Sequence, residues 1–374
     1  MKRNIVAVGL SLLLSAGLWS CSNSSDNNPE KDLSLVQSLD IKAQDLSTAV
    51  ADISASKGFE IITMEDSNST KSGSQDGMTD DSRFSASITL DDVKGIYDYN
   101  PAVNNETTQA KFGFQKIFER TGDSDQFIIR LPKEKATSPW NLYVTEAADS
   151  SLVNDFVITT SDFHYNYEGG MQFDYLLDTR LDVEEAFAGN LFVNWSIAAD
   201  HNFKYESNYT FTDDYSVGVN FQFGDTIHYA YHLDNAEGVL FGEEIQINKD
   251  TTNHHVMNYT LTIGNIQLVK TSANDSLQVY RDGALEEGAV VEVIDENGTS
   301  VDSDIAFCRK GRDLKITFAD GSEVVLSELL GDSLDMLDTI FSSMSNLYFA
   351  EHLVNKVAWE VYYTNLANST TVTE

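Results

Sequence analysis

Cysteine and positive charge are the two things this 374-residue chain most lacks. It has only Cys21 and Cys308, so no disulfide framework is available and packing alone must hold the core. Cys308 stands in the apolar run Ile305-Ala306-Phe307 and reads as a small core residue. Lys and Arg number 24 against 59 Asp and Glu, for a formal net charge of −35. Between positions 161 and 270 the only Lys or Arg residues are Arg180, Lys204, Lys249 and Lys270. Nucleic acid is bound through clustered Lys and Arg that release counterions, so DNA, RNA and anionic headgroups are poor partners and no nucleic acid is expected. Catalytic signatures are also missing. There is no His-Glu-x-x-His, no Gly-x-Ser-x-Gly and no glycine loop to cradle phosphate. Adjacent acids such as Glu184-Glu185, Asp213-Asp214 and Glu243-Glu244 carry little information in so acidic a chain. The reading leans against an enzyme and expects no cofactor.

What is present begins at the amino terminus. Lys2-Arg3, an apolar run over residues 5–14 and Leu18-Trp19-Ser20-Cys21 together resemble a bacterial lipoprotein signal peptide. Trp19 departs from the small residue usual at its position. The resemblance implies removal of residues 1–20 and acylation of Cys21, which would tether the chain to a membrane without spanning it. Buried acyl chains contribute about 0.8 kcal/mol per methylene, and more than one chain is needed for stable anchoring. Residues 21–32 read as a solvated tether. This segment resembles the Ser/Asp-rich leader of Bacteroidota surface lipoproteins, although its first acid comes only at Asp26. The location implied is the cell envelope, as an outer-membrane lipoprotein facing either the periplasm or the surface.

Residues 33–63 contain Val36, Leu39, Ala43, Leu46, Val50 and Ile53 at alternating spacings of three and four, which predicts an amphipathic helix. Residues 64–83 lack periodicity and read as a mobile loop. From 84 to 270 the period becomes two. Tyr215, Val217, Val219, Phe221 and Phe223 oppose Ser216, Gly218, Asn220 and Gln222; Ile227, Tyr229, Tyr231 and Leu233 oppose Thr226, His228, Ala230 and His232. Strands buried on one side and wet on the other are antiparallel in habit. The short links Gly224-Asp225 and Asn235-Ala236-Glu237-Gly238 predict a meander. Residues 271–330 read as a hairpin region, with Ile316-Thr317-Phe318 and Val324-Val325-Leu326 as one hairpin around Asp320-Gly321. A C-terminal helix is predicted over 331–366 and a disordered tail over 367–374. Asp335, Asp338, Glu351, Lys356 and Glu360 interrupt every window long enough to span a bilayer, so that helix belongs to a core. The fold class expected is α+β, a large, mostly antiparallel meander with an N-terminal amphipathic helix and a long C-terminal helix packed on it.

Candidate site residues are few. His228 and His232 share a strand face and are candidate metal ligands, but at that separation they need a third group, such as His164, Asp200 or His201. A solvated polar face explains them as well. Asp295, Glu296, Asp302 and Asp304 offer oxygen ligands without calcium-loop spacing. Asp225-Thr226-Ile227, Asp250-Thr251-Thr252 and Asp275-Ser276-Leu277 resemble the Asp-Ser/Thr-apolar acceptor of Bacteroidota O-glycosylation, which would make Thr226, Thr251 and Ser276 acceptors. Trp140 follows Ser138-Pro139 in a loop and is the candidate platform for stacking on a sugar, whereas Trp195 and Trp359 read as core.

Three functional readings follow. If the helices cover the aromatic sheet face only partly, the protein is a carrier of an apolar ligand or lipid held between sheet and helices. The alternatives are a cell-surface glycan-binding accessory protein and a purely structural or interaction lipoprotein.

Overall fold

The computed structural model describes residues 33–63, 85–100, 117–136, 142, 152–168, 172–212, 214–249, 255–271, 276–295, 298–300 and 312–370. The proposed signal peptide, Cys21, the tether, the 64–83 segment, Trp140, Thr251, Asp302, Asp304 and Cys308 lie outside these residues.

The fold is α+β, dominated by a sheet of 15 strands. In chain order these are β1 Ala86–Thr89, β2 Gly95–Tyr99, β3 Phe118–Gly122, β4 Phe127–Leu131, β5 Phe156–Glu168, β6 Gln172–Val183, β7 Ala186–Ile197 and β8 Phe203–Thr210. They continue with β9 Tyr215–Phe223, β10 Thr226–Asn235, β11 Gly238–Lys249, β12 His255–Ile263, β13 Ile266–Lys270, β14 Gln278–Arg281 and β15 Ala284–Leu285. From β4 to β15 every strand is next to its sequence neighbour, the meander that the short turns predict. The departures are at the far edge, where β2 pairs parallel with β4 before β3 closes the order, and at β1, which lies off this path and pairs antiparallel with β5. No proline occurs after Pro139, so no strand from β5 onward loses a ladder donor. The sheet does not stop at residue 270. β14 and β15 extend it, and β16 Val290–Asp295, β17 Arg312–Thr317 and β18 Glu323–Val325 form a separate three-stranded sheet. In that smaller sheet Ile316 faces Val324 across the predicted hairpin.

Register sorts the large sheet into two chemically distinct faces. One row across nine strands reads Ser87, Asn166, Asp174, Ser196, Lys204, Gln222, His228, Gln246, Asn258. The adjacent row on the other face reads Ile88, Tyr165, Tyr175, Trp195, Tyr205, Phe221, Tyr229, Ile245, Tyr259. At a strand spacing near 4.8 Å each row is about 38 Å long. A β-bulge in β5 between Thr160 and Asp162 preserves this sorting, letting Ile158 and Phe163 both lie in the core although they are five positions apart, an offset that would put them on opposite faces of a regular strand.

Helices cover the apolar face in two places. At the strand ends, α1 Leu35–Ser54 starts with a capping box, in which Ser34 Oγ accepts from the Gln37 N–H and Gln37 Oε1 accepts from the Ser34 N–H. It buries Leu39, Leu46, Ala49 and Ile53. The predicted stripe is therefore real, and each full burial of Leu or Ile contributes about 1.5–3 kcal/mol. Arg281 of β14 donates to the Leu33 carbonyl, and Tyr215 of β9 donates to Asp52, so the helix crosses the hairpin ends. It does not continue to residue 63: Ser56 caps a second short helix, α2 Lys57–Ile62. Two further short helices, α3 Leu90–Val93 and α4 Lys133–Ala136, flank the β2–β4 edge.

The predicted C-terminal helix over 331–366 is not continuous. Helix begins earlier, with α5 Leu326–Leu330 inside the predicted hairpin region, and continues as α6 Asp332–Ser343, a 3-10 turn Met344–Leu347 and α7 Tyr348–Thr370, which runs beyond residue 366 into the segment predicted to be a disordered tail. Gly331, at φ 50° and ψ −133°, separates α5 from α6. The break has a consequence for coverage. α7 lies over β5, with Trp359 against Tyr165 at 5.1 Å and Phe349 against Phe156 at 5.7 Å. α6 lies over β10 and β11, with Phe341 against Tyr231 at 4.5 Å. No helix among the described residues is long and apolar enough to cross a membrane.

Candidate functional site

Beyond the two helical covers, at one end of strands β8 to β12, the apolar face of the sheet loses its burial. Along β9 burial declines from Val217, fully buried, through Val219 and Phe221 to Phe223, which is 51% exposed. Along β10 it declines from buried Leu233 through Tyr231 to Tyr229, 39% exposed. β8 repeats the trend from Tyr209 to Phe203, β11 from Phe241 to Ile247, and β12 from Leu261 to Met257. Phe203 and Phe221 pack at a tilt with centroids 5.5 Å apart, and Phe203 continues to Trp195 at 6.1 Å and Trp195 to Phe173 at 4.6 Å. A contiguous aromatic and aliphatic half-face is thus left partly open on five strands, with Phe223 and Tyr229 exposed and the remaining residues half-buried. Soluble proteins rarely expose such a surface without a binding role.

A polar cluster stands where α7 meets this open half. Tyr175, Trp195 and Tyr205 are successive neighbours across β6, β7 and β8. Above them α7 presents Glu351 and, one turn on, Asn355, which reaches toward the Tyr175 phenol. Glu351 is only 6% exposed, and burial pushes its carboxyl up to about 7. Burial, then the Glu351 charge, raises the Tyr175 hydroxyl well above the usual phenol range. Tyr205 is raised by burial first, opposed by a hydrogen bond with Ser207 and reinforced by Glu351. Tyr348, at the open start of α7 and 55% exposed, is raised by burial and then by the same carboxylate. The Trp195 indole N–H is buried without an acceptor among the described residues, and Asn355 Oδ1 is buried without a donor. Polar groups in this state are expensive, and they concentrate at sites that serve a ligand.

The sequence-predicted residues lie elsewhere. His228 and His232 share the outer, polar face of β10, as predicted. They pair with different carboxylates: His228 Nε2 with Glu244 at 2.9 Å and His232 Nδ1 with Asp234 at 2.6 Å. The His232 ring lies over Gly218, where an added Cβ would fall 2.3 Å from its Cε1. No group of three His, Cys, Asp or Glu among the described residues is placed to hold a metal ion. Thr226 is half-buried and donates to Asn248 at 2.9 Å, whereas Ser276 is exposed. Trp195 is only partly buried rather than core, and Trp359 stacks on Tyr363 within α7.

The chain matches no family model, no curated protein and no solved structure. The site is therefore read from its own chemistry. On the outer face, Asn194, Ser196, Lys204, Glu206, Asn220, Gln222 and His228 line a shallow depression of roughly 230 Å³, and its surroundings are those of a solvated sheet. The cluster at Glu351 escaped the sequence reading, in which that residue served only to interrupt a hydrophobic window. A signal was present all the same: Leu347, Glu351, Val354 and Ala358 recur at spacings of three and four, placing the acid in the buried stripe.

Proposed function

We propose that this protein is a non-enzymatic, membrane-anchored lipoprotein of the cell envelope that holds an apolar ligand against the open half of its sheet. The observation that carries the reading is the loss of burial along β8 to β12, which leaves Phe223 and Tyr229 exposed and Phe203, Phe221 and Ile227 only half-buried. Those side chains are mostly Phe and Ile, with few hydrogen-bonding atoms, so an acyl chain or a similarly apolar body is the ligand they suit. The lipoprotein-like first 21 residues support delivery to a surface where such ligands are abundant. The test is displacement of a fluorescent fatty-acid probe. Phe221→Asp, which places a charge at the centre of the open face, should abolish binding, while Gln222→Asp on the opposite face of the same strand should leave it intact. Equal binding by both variants and the parent would contradict the reading.

A second reading is favoured by one observation, the outer-face depression with its amide, hydroxyl and carboxylate lining, which suits a polyhydroxylated glycan. Retention on a glycan array that disappears with Asn220→Ala and Gln222→Ala would support it.

A further inference from the structure

Resting on the apolar-ligand reading, we infer that the cluster around Glu351 receives the ligand's polar head, and that this head carries an ammonium group with a hydrogen-bond acceptor beside it. The argument starts from what the cluster leaves unmatched. Glu351 makes no hydrogen bond and no ion pair with any described residue, although it is 6% exposed. An ionised carboxylate in such a place is costly unless a cation or a proton joins it. Asn355 Oδ1, one helical turn away, is a second buried acceptor with no donor among the described residues. The Trp195 N–H is a buried donor with no acceptor among them, and register holds it between Tyr175 and Tyr205, the two sheet phenols that feel the Glu351 charge.

The Tyr175 hydroxyl beside Asn355 is also buried without a partner among the described residues and can donate or accept, so the cluster offers two acceptors, one N–H donor and one hydroxyl, which a head carrying both a cation and an acceptor complements. An ammonium supplies several N–H donors and a positive charge, which the rings of Tyr175, Trp195, Tyr205 and Tyr348 attract through their faces. A phosphate or amide oxygen next to it would accept from the indole. The apolar tail would then lie along Phe203, Phe221 and Phe223, which continue from Trp195 across β8 and β9. The chain's formal charge of −35 acts in the same direction, disfavouring amphiphiles of net negative charge.

The experiment compares lysophosphatidylethanolamine with lysophosphatidylglycerol of the same acyl chain, measured by equilibrium dialysis against the full chain kept soluble in amphipol. The expected result is about tenfold tighter binding of the ethanolamine probe, the order of size a desolvated cation–carboxylate–aromatic contact supports. Glu351→Gln should remove that preference and leave affinity for the glycerol probe where it was. If Glu351→Gln loses its folded circular-dichroism spectrum, Trp195→Phe tests the same site, because it keeps a ring and removes the donor; the preference should then shrink. Equal affinities in the parent protein, or a preference that survives either variant, overturn the head assignment and leave the apolar-ligand reading standing. Failure of both probes to bind the parent protein overturns that reading as well.

Discussion

Phe341 of α6 meets Tyr231 of β10 edge to face, with ring centroids 4.5 Å apart, and this contact marks the limit of the helical cover over the sheet. Two residues further along the same strand and face, Tyr229 is already exposed. Tyr231 also donates a short hydrogen bond to the buried Glu243 of β11, so the contact lies over a polar pair that solvent would otherwise reach. The position of Phe341 therefore decides how much of the aromatic row is available to a ligand.

Removing that ring should enlarge the open face at a measurable cost. Phe341 is only partly buried, so Phe341→Ala is expected to lower stability by about 2 kcal/mol, less than the ~3–5 kcal/mol typical of a fully buried Phe. Urea unfolding gives the loss, and binding of an environment-sensitive apolar dye should rise in the folded state.

Glu351 makes the stability of the protein depend on pH in an unusual direction. Its carboxyl is raised to about 7 in the folded state from an ordinary value of 4.5, so between these two values the folded protein binds more protons than the unfolded one. Stability contributed by the protonated form is complete below pH 4.5 and is lost as pH rises through 7, up to about 3 kcal/mol. Comparing Glu351→Gln with the parent protein isolates this effect. The variant should gain little at pH 4.5 and be the more stable of the two by about 3 kcal/mol at pH 8. A difference that does not change with pH in chemical denaturation would contradict the assignment.

The β6–β7 hairpin contains local strain that can be relieved. Glu184 and Glu185 turn the chain with φ of 54° and 65°, the left-handed region where Asn-Gly is preferred. Lys57 holds Glu184 at 3.1 Å, an exposed contact that contributes little. Glu185→Gly should therefore stabilise the protein by about 1 kcal/mol, seen as a higher urea midpoint with unchanged slope.

The legibility of this structure in its sequence follows a physical division. Alternation such as Tyr215, Val217, Val219, Phe221 and Phe223 records which way side chains point, because the period of a strand is a local property; the meander and its two faces followed from it. Cover is not local. Nothing near Phe223 distinguishes it from Val217, yet one is half exposed and the other fully buried, because α6 and α7 come from a hundred or more residues away and part at the 3-10 turn. Charge misled the reading for the same reason. In the sequence Glu351 served only to interrupt a hydrophobic window, and only the placement of α7 over Tyr175 and Tyr205 makes it a buried acid. His228 and His232 were placed on the right face, but their carboxylate partners Glu244 and Asp234 depend on register and rotamer, which the alternation does not encode.

The most direct test of the account is native mass spectrometry of a form lacking residues 1–21, purified without detergent from a periplasm. The account predicts a discrete added mass that is released on denaturation, matches a lipid, and is absent from Phe221→Asp. A bare polypeptide mass in the parent protein, or an added mass unchanged by Phe221→Asp, would contradict it.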